Sequence, residues 1–308
     1  MQNPFDNSLP SCSVLSLQVN EQLFGTAPLT KVWIMVEYPY PFGEKALEES
    51  HIQDAVKTCL SGLNKIIPAS RVLLIRQENP ETKTEIRAFV GLSMMQQPLL
   101  YEFHLAQYED LITLDLASIA SGQREMSENL RHDPLFLTCT NAKRDPCCAQ
   151  WGRKVYLQMA NLAGDSVWQT SHVGGHRFAA NVICLPHGIY NGRLRPELAT
   201  SLVDNYRHHR LTPQCYRGRA HYSPEVQVAE YYLMEQTNIL DIDAFQLKQS
   251  SQTAPNLWDI TFVSPSDGAK YHLEISAHQS TFNTYESCST PDKRAQRLQY
   301  QLEKWSKS

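Results

Sequence analysis

Short apolar runs alternate with polar, turn-forming segments along the first part of the chain. Residues 32–36 read Val-Trp-Ile-Met-Val, which is typical of a buried strand that the prolines at 39 and 41 bring to an end. Apolar residues at helical spacing predict a helix from Glu44 to Leu63. Further strands are predicted at 72–75, 86–90 and 99–103, with Asn79-Pro80 as one of the turns between them. These elements predict a mixed-sheet α/β domain over residues 25–128.

A second α/β unit is predicted over residues 129–220. A strand at 135–138 leads into Cys139, and a helix is predicted at 149–162. A strand at 180–185, a turn at Pro186-His187-Gly188 and a helix from Pro196 to Arg207 follow. Because α/β proteins bind ligands beyond the carboxyl ends of their strands, the position of Cys139 favours a functional role.

The two flanking segments have different patterns. Residues 1–24 are rich in Asn, Ser, Pro and Gln and predict an N-terminal arm, either poorly ordered or a single edge strand. Residues 221–308 predict a small α+β extension, with a helix at 226–235 and strands around 258–263 and 270–276. No internal sequence repeat is evident. The predicted fold class is therefore α/β with a short N-terminal arm and an α+β C-terminal extension.

Composition and charge argue against two classes of binding partner, nucleic acids and anionic membranes. The chain has 308 residues, of which 42% are hydrophobic and 19% charged, and a formal net charge of −4. This balance provides no long-range field to attract nucleic acid or an anionic membrane, so neither is expected as a partner. The sequence has no basic leader and no apolar run long enough to span a bilayer. We therefore expect a cytoplasmic protein.

Eight cysteines, without the dense, regular spacing of a secreted disulfide scaffold, are expected to be free thiols or metal ligands. The segment from Cys139 to Cys148 is a cysteine-rich loop between a strand and a helix start, where backbone amides and the helix dipole favour thiolate. Cys147 adjoins Cys148 and is an alternative ligand. Cys184 is expected to be a packed thiol, and no role is assigned to the others, which are Cys12, Cys59, Cys215 and Cys288.

A second pair of donors lies in the segment His172-Val173-Gly174-Gly175-His176. Two adjacent glycines cost about 2 kcal/mol of helix propensity, so a loop is predicted rather than a helical HxxxH site. Gly174 and Gly175 permit positive φ and a close approach of the backbone to a bulky centre. Two thiolates and two imidazoles form a soft, mixed donor set that suits zinc or an iron-sulfur centre. A metal or cluster site is therefore the leading hypothesis.

Two charged residues beside the cysteines are candidates for tuning this site. Arg144 would stabilise added negative charge, and Asp145 would orient a ligand or the arginine itself. A simple salt bridge within the loop is the alternative for both residues.

Other chemistries lack their usual sequence signals. The chain has no C-x-x-C pair for dithiol exchange, and it has neither a G-x-x-x-x-G-K nor a G-x-G-x-x-G loop for nucleotide phosphates. No sequence feature points to the pair of carboxylates that glycoside hydrolysis requires. Four protein ligands would also leave a catalytic zinc ion without an open position for water. These missing signals argue against thiol-disulfide catalysis, nucleotide binding, sugar cleavage and zinc catalysis.

The two motifs together resemble the sucrase/ferredoxin-like family, whose members are thioredoxin-like 2Fe-2S proteins. The motifs are Cys-x4-Arg-Asp-x2-Cys at 139–148 and Ser-His-Val-Gly-Gly-His-Arg-Phe-Ala-Ala-Asn at 171–181. The similarity covers about residues 131–219, including the tail Tyr216-Arg217-Gly218-Arg219. The strand and Pro-x-Pro-Phe-Gly at 39–43 are similar to the family's amino-terminal domain.

The resemblance implies a thioredoxin-like ferredoxin domain at 129–220 that holds a [2Fe-2S] cluster. The family's ligands carry over by position to Cys139, Cys148, His172 and His176, while the neighbouring Cys147 leaves open which thiol binds. Such a protein would transfer one electron, with coupled proton uptake if the imidazoles reach solvent, and would exchange it with an unknown redox protein. The alternative is a structural zinc site with the same four ligands. "Sucrase" in the family label is no evidence of sugar cleavage.

Overall fold

A nine-stranded mixed sheet forms the centre of the molecule in a computed structural model that describes residues 9–78, 85–94, 96–122 and 126–308. Its strands, in chain order, are β1 (Val32–Glu37), β2 (Ser70–Arg76), β3 (Ile86–Leu92), β4 (Leu99–Leu105), β5 (Leu135–Cys139), β6 (Val167–Thr170), β7 (Val182–Leu185), β8 (Ile189–Asn191) and β9 (Tyr216–Arg219). They lie in the order β4-β3-β1-β2-β6-β5-β7-β8-β9. The predicted α/β fold class is confirmed. The predicted turn at Asn79-Pro80 lies outside the described residues.

Seven α-helices are described. They are α1 (Cys12–Gln18), α2 (Asp54–Ile66), α3 (Asp110–Thr113), α4 (Leu116–Ala120), α5 (Pro146–Ala163), α6 (Pro196–Arg207) and α7 (Pro224–Thr237). Short 3-10 helices lie at Ser127–Asn129, Gly164–Ser166, His176–Phe178 and Pro213–Cys215. Among the described residues, no helix combines the length and the apolar composition needed to span a bilayer.

The two halves of the sheet have the same connectivity. In the first half β1 pairs with β2 in parallel and with β3 antiparallel, and β4 follows β3. In the second half β5 pairs with β6 in parallel and with β7 antiparallel, and β8 follows β7. Each half is thus a β-α-β unit followed by a hairpin, consistent with the thioredoxin-like topology implied for the second half. The halves join edge to edge through β2 and β6, which pair antiparallel.

The strand residues divide between outer and central cores. On β1, Val32, Ile34 and Val36 pack under α2, whereas Trp33 and Met35 face a central core that contains residues of both halves. Helices α5 and α6 cover a third core on the second half. The halves meet across the central core, where the rings of Phe89 and Trp168 lie 5.6 Å apart edge to face. Apolar residues on both faces explain the continuous apolar runs in these strands.

The C-terminal segment forms an antiparallel sheet against α7. Strands β10 (Gln246–Ala254), β11 (Leu257–Val263), β12 (Lys270–Gln279) and β15 (Leu298–Lys307) are neighbours in that order, and β13 (Thr284–Tyr285) pairs with β14 (Arg294–Ala295). Residues of α7 pack on one face of the four-stranded sheet. This arrangement agrees with the predicted α+β extension.

Three predicted elements differ from the structure. Residues 12–18 form α1 rather than a disordered arm or an edge strand, because Cys12 and Ser16 are buried against the second half. The predicted helix from Glu44 begins only at Asp54, since Glu49 folds back to accept the backbone N–H groups of residues 44 and 45 in a separate turn. Finally, α5 begins at Pro146 and includes the vicinal cysteines, with Asp145 as its N-cap.

Candidate metal centre

The predicted ligands lie where two parallel strands end. Cys139 is the last residue of β5, and His172 follows β6 by two residues. Because β5 and β6 run parallel, their carboxyl ends share one edge of the sheet. Helix α5 begins at the same edge and brings Cys148 in its first turn. The β-α-β connection thus brings together donors from two neighbouring segments, 139–148 and 172–176.

Three of the four predicted donors converge. The Nδ1 atom of His172 lies 4.0 Å from Sγ of Cys139 and 3.9 Å from Sγ of Cys148. All three donor atoms lie within 4.8 Å of one another. Both cysteines are buried, and His172 is half-buried. The group is therefore compact enough for one metal ion and is reached from solvent on the side of His172.

The fourth predicted donor lies beside this group rather than within it. The ring of His176 is 5.0 Å from that of His172, centroid to centroid. Its Nδ1 atom is buried and has no hydrogen-bond partner among the described residues. Its Nε2 atom lies 3.9 Å from Oδ2 of Asp145. A buried imidazole nitrogen without a partner is costly, and a metal ligand bond is one way to satisfy it.

The electrostatics of Cys139 and His176 favour metal binding. A hydrogen bond from Cys148, together with one from His172, holds the pKa of Cys139 well below its usual range, although burial acts in the opposite direction. The bond to Cys139 and burial raise the pKa of Cys148. Burial lowers the pKa of His176, which keeps its imidazole neutral. A thiolate and a neutral imidazole are the forms in which these side chains bind metals.

The vicinal cysteines point to different places. Cys148 joins Cys139 and His172, whereas Sγ of Cys147 lies 3.5 Å from Sγ of Cys12 and 3.5 Å from Sγ of Cys288. Neighbouring residues on a helix are rotated by about 100°, so adjacent side chains at its first turn face different surroundings. The geometry thus favours Cys148 over Cys147 as a member of the predicted site.

Arg144 and Asp145 have separate surroundings. The guanidinium of Arg144 is half-exposed and pairs with Glu44 at 3.0 Å, so its salt bridge is made to a different segment of the chain and not within the loop. The carboxylate of Asp145 is buried; it accepts the backbone N–H of Cys147 at 2.9 Å and faces His176. Asp145 is therefore placed to act on the histidine, and Arg144 is turned toward solvent.

Side chains hold four successive carbonyl groups of the histidine loop. The carbonyls of residues 172, 173, 174 and 175 accept hydrogen bonds from Arg71, Tyr190, Arg217 and Asn181 respectively, over 2.9 to 3.2 Å. A loop whose backbone is fixed at each residue presents its imidazoles in a fixed orientation. None of the four was given a role in the sequence analysis, although Asn181 and Arg217 lie within the quoted motifs 171–181 and 216–219, because their partners are backbone atoms and a motif does not reveal which carbonyl a side chain reaches.

Arg217 is the central member of this set. It is 1% exposed, and it also donates to Oδ1 of Asn181 at 2.8 Å and to the carbonyl of Thr26 at 2.6 Å. Burial lowers its pKa to about 9, which leaves the guanidinium charged at neutral pH. The family tail 216–219 thus contributes a buried support for the loop.

Gly174 and Gly175 both adopt positive φ, at +93° and +72°, as the loop prediction requires. The space that a Cβ atom would occupy is filled by Pro28 at Gly174 and by the guanidinium of Arg217 at Gly175. Among the described residues, the atoms that come close to these two glycines are thus those of the side chains packed against the loop.

The fold and this site define an α/β protein with a buried centre of cysteine and histidine side chains. The family model described as sucrase/ferredoxin-like matches residues 23–218, which is more than half of the chain. The chain belongs to the sucrase/ferredoxin-like family. No curated protein and no solved structure shows a significant match to it.

Proposed function

We propose that this protein is a cytoplasmic one-electron carrier that holds a [2Fe-2S] cluster through Cys139, Cys148, His172 and His176. The observation that carries the proposal is the meeting of two buried thiols and one imidazole beside a second imidazole whose buried Nδ1 atom has no partner among the described residues. Membership of the family supports the same ligand set.

The donor set fits such a cluster chemically. When bound, a [2Fe-2S] cluster supplies one-electron transfer, and imidazole ligands in place of two thiolates raise its reduction potential above that of plant-type ferredoxins. The protein contributes a buried thiol pair, a neutral His176 and a loop with fixed carbonyls. The half-buried His172 is the donor nearest to solvent, so we propose that a redox partner approaches from its side.

Asp145 gives the proposed proton coupling a structural basis. Its buried carboxylate faces the outer nitrogen of His176 at 3.9 Å. A proton on that nitrogen would be stabilised by the carboxylate, so the oxidation state of the centre and the proton on His176 would be linked. The proposal stands on this geometry, and a reduction potential independent of pH would contradict it.

A structural zinc ion is the second candidate at the same residues. The three donors of Cys139, Cys148 and His172 lie within 4.8 Å of one another, a span that a single tetrahedral ion bridges, whereas His176 is outside this group. Zinc bonds of about 2.0–2.3 Å would bring the donors slightly closer together than they are here. A protein with this site would be colourless.

The test is metal analysis of anaerobically purified protein. Two irons and two sulfides per chain, visible absorption and a Rieske-like EPR signal after dithionite reduction are the results expected for the cluster. Replacement of Cys148 by Ala should abolish these signals, and replacement of Cys59 by Ala, a thiol in α2 outside the site, should leave them unchanged. Colourless wild-type protein whose zinc depends on Cys139 and Cys148 would replace the cluster with the zinc site.

A further inference from the structure

A second group of donors lies outside the proposed cluster site. It consists of Cys12, Asp145, Cys147 and Cys288, whose donor atoms all lie within 4.8 Å of one another. Sγ of Cys147 is 3.5 Å from both of the other sulfurs, and Sγ of Cys12 is 3.8 Å from Oδ1 of Asp145. The residues come from three distant parts of the chain: the start of α1, the start of α5 and the loop between β13 and β14.

These distances match the requirements of one tetrahedral ion. Zinc–sulfur bonds of about 2.3 Å place the sulfurs of a tetrahedral site about 3.8 Å apart. A disulfide requires about 2.05 Å and would join only two of the three sulfurs. Three soft sulfur donors with one carboxylate select zinc over calcium or magnesium, which prefer all-oxygen sites.

Two of the three sulfurs, those of Cys147 and Cys288, accept hydrogen bonds. The backbone N–H of Cys12 donates to Sγ of Cys288 at 3.3 Å, and the hydroxyl of Ser13 donates to Sγ of Cys147 at 3.3 Å. Cys147 also lies in the first turn of the 18-residue helix α5, where the helix dipole favours thiolate. Hydrogen bonds to sulfur from backbone and hydroxyl groups are the outer contacts expected of metal-bound thiolates.

Asp145 adds a buried carboxylate to this group. Its side chain is fully buried, and its one ion pair among the described residues is the 3.9 Å approach to His176. Its other contacts are to neutral donors, including the hydroxyl of Ser287 at 3.1 Å and the backbone N–H of Cys288 at 2.9 Å. A buried carboxylate beside three thiols, without a strong cationic partner, is the setting in which a divalent cation offsets the charge.

We propose that Cys12, Cys147 and Cys288, with one oxygen of Asp145, bind a structural zinc ion. Binding forms three zinc–sulfur bonds and one zinc–oxygen bond and releases the thiol protons to solvent, so it requires no oxidant or reductant. The four protein ligands leave no open position for substrate, which makes the site structural. The zinc ion ties α1 and the loop at Cys288 to the start of α5, directly behind the helix turn that carries Cys148.

The test counts zinc in the full chain. Wild-type protein purified with zinc present should contain one zinc per chain that Cys139→Ser does not remove. Cys288→Ser should lose that zinc and keep the metal at Cys139 and Cys148. Cys288 is the half-buried member of the group, so its replacement disturbs packing least, and Cys59→Ser is the matched control. Zinc unchanged in Cys288→Ser, or wild-type protein without this zinc, would overturn the proposal.

A second measurement does not depend on a variant. Wild-type protein stripped of zinc by a chelator and loaded with Co²⁺ should show the intense sulfur-to-cobalt absorption of a tetrahedral thiolate site. In wild-type protein with zinc bound, Cys288 should be protected from a maleimide reagent, and after removal of zinc by a chelator it should react. A disulfide among these three cysteines in freshly purified protein, without zinc, would also contradict the proposal. The maleimide measurement reports on Cys288 whatever the other centre holds, and the cobalt absorption is assigned to this site when it persists in Cys139→Ser and is lost in Cys288→Ser.

Discussion

Cys147 and Cys148 are consecutive residues in the first turn of α5, and their sulfur atoms belong to two different groups of donors. Sγ of Cys148 is 3.9 Å from Nδ1 of His172, while Sγ of Cys147 is 3.5 Å from the sulfurs of Cys12 and Cys288. One helix turn therefore links two candidate metal sites, and a change at either cysteine is expected to affect mainly its own site.

This separation predicts different results for two neighbouring alanine variants. Cys148→Ala should remove the visible absorption of the proposed cluster, because the change removes a donor to it. Cys147→Ala should retain that absorption and lose zinc. The measurement is visible absorption with iron and zinc content on anaerobically purified proteins. Loss of iron in Cys147→Ala with retention in Cys148→Ala would exchange the roles of the two thiols.

The buried guanidinium of Arg217 predicts a positioning role. Arg217→Lys keeps the charge but cannot reproduce the forked contacts to Gly174, Asn181 and Thr26, so we expect stability to fall by about 2–3 kcal/mol. The histidine loop at 172–176 should also become less rigid, which would lower the occupancy of the proposed cluster and change the shape of its EPR signal. Arg219→Lys is the control, since Arg219 is also buried but pairs with Glu230. A loss of stability in both variants with unchanged spectra would limit Arg217 to a structural role.

Gly175 predicts a strong effect of adding one methyl group. Gly175→Ala would impose a side chain at φ +72° and push it to within 2.5 Å of Nη2 of Arg217. We expect destabilisation by about 1–3 kcal/mol and a loss of metal content. Gly62→Ala in α2 has open space around its Cβ position and should stabilise the helix by up to about 1 kcal/mol. Denaturant unfolding and metal analysis of both variants measure the difference. Equal stability of the two variants would contradict the claim that Gly175 has no room for a side chain beside Arg217.

The buried His187 predicts a loss of stability in acid. Burial, with Arg219 and His209 acting in the same direction, lowers its pKa from 6.5 to about 3, and its Nδ1 atom lies 2.6 Å from the hydroxyl of Tyr206. Between these two values the unfolded chain binds a proton that the folded chain excludes. The contribution of the neutral His187 to the free energy of unfolding is therefore complete above pH 6.5, and it declines as the pH falls toward 3. At pH 5 the loss is about 2 kcal/mol.

Unfolding in urea at pH 7.5 and pH 5 measures this effect. His187→Gln should have a pH dependence that is smaller by about the same 2 kcal/mol, while replacement of the exposed His208 should leave the dependence as in wild type. An unchanged pH dependence in His187→Gln would show that other groups cause the acid sensitivity.

Much of the sheet was predictable from the sequence because its strands are apolar on both faces. The runs at 32–36 and 72–75 were assigned to strands, and α6 has its predicted bounds. The outer strands β10 and β15 were missed since they are mostly polar and exposed, and their pairing is decided by neighbouring strands. The Asp145-Pro146 pair is a helix-start signal that would have placed both vicinal cysteines in α5.

The candidate site was predictable only where its donors lie close together in sequence. The segments at 139–148 and 171–181 contain the four proposed ligands, and adjacent strand ends bring three of them together. The group around Cys147 depends on a contact between residues 12 and 288, which are 276 positions apart. No local pattern records such a contact, so Cys12 and Cys288 were given no role. Arg71 and Tyr190, which lie outside the quoted motifs, were missed for the same reason.

The wide separation of Cys12 and Cys288 also affects how the protein is made. All four proposed cluster ligands lie in one short stretch and leave the ribosome together. The Cys12, Cys147 and Cys288 group is incomplete until residue 288 has been synthesised, 276 positions after Cys12. The proposed zinc ion can therefore bind its full ligand set only after every strand of the nine-stranded sheet, which ends at Arg219, has been synthesised.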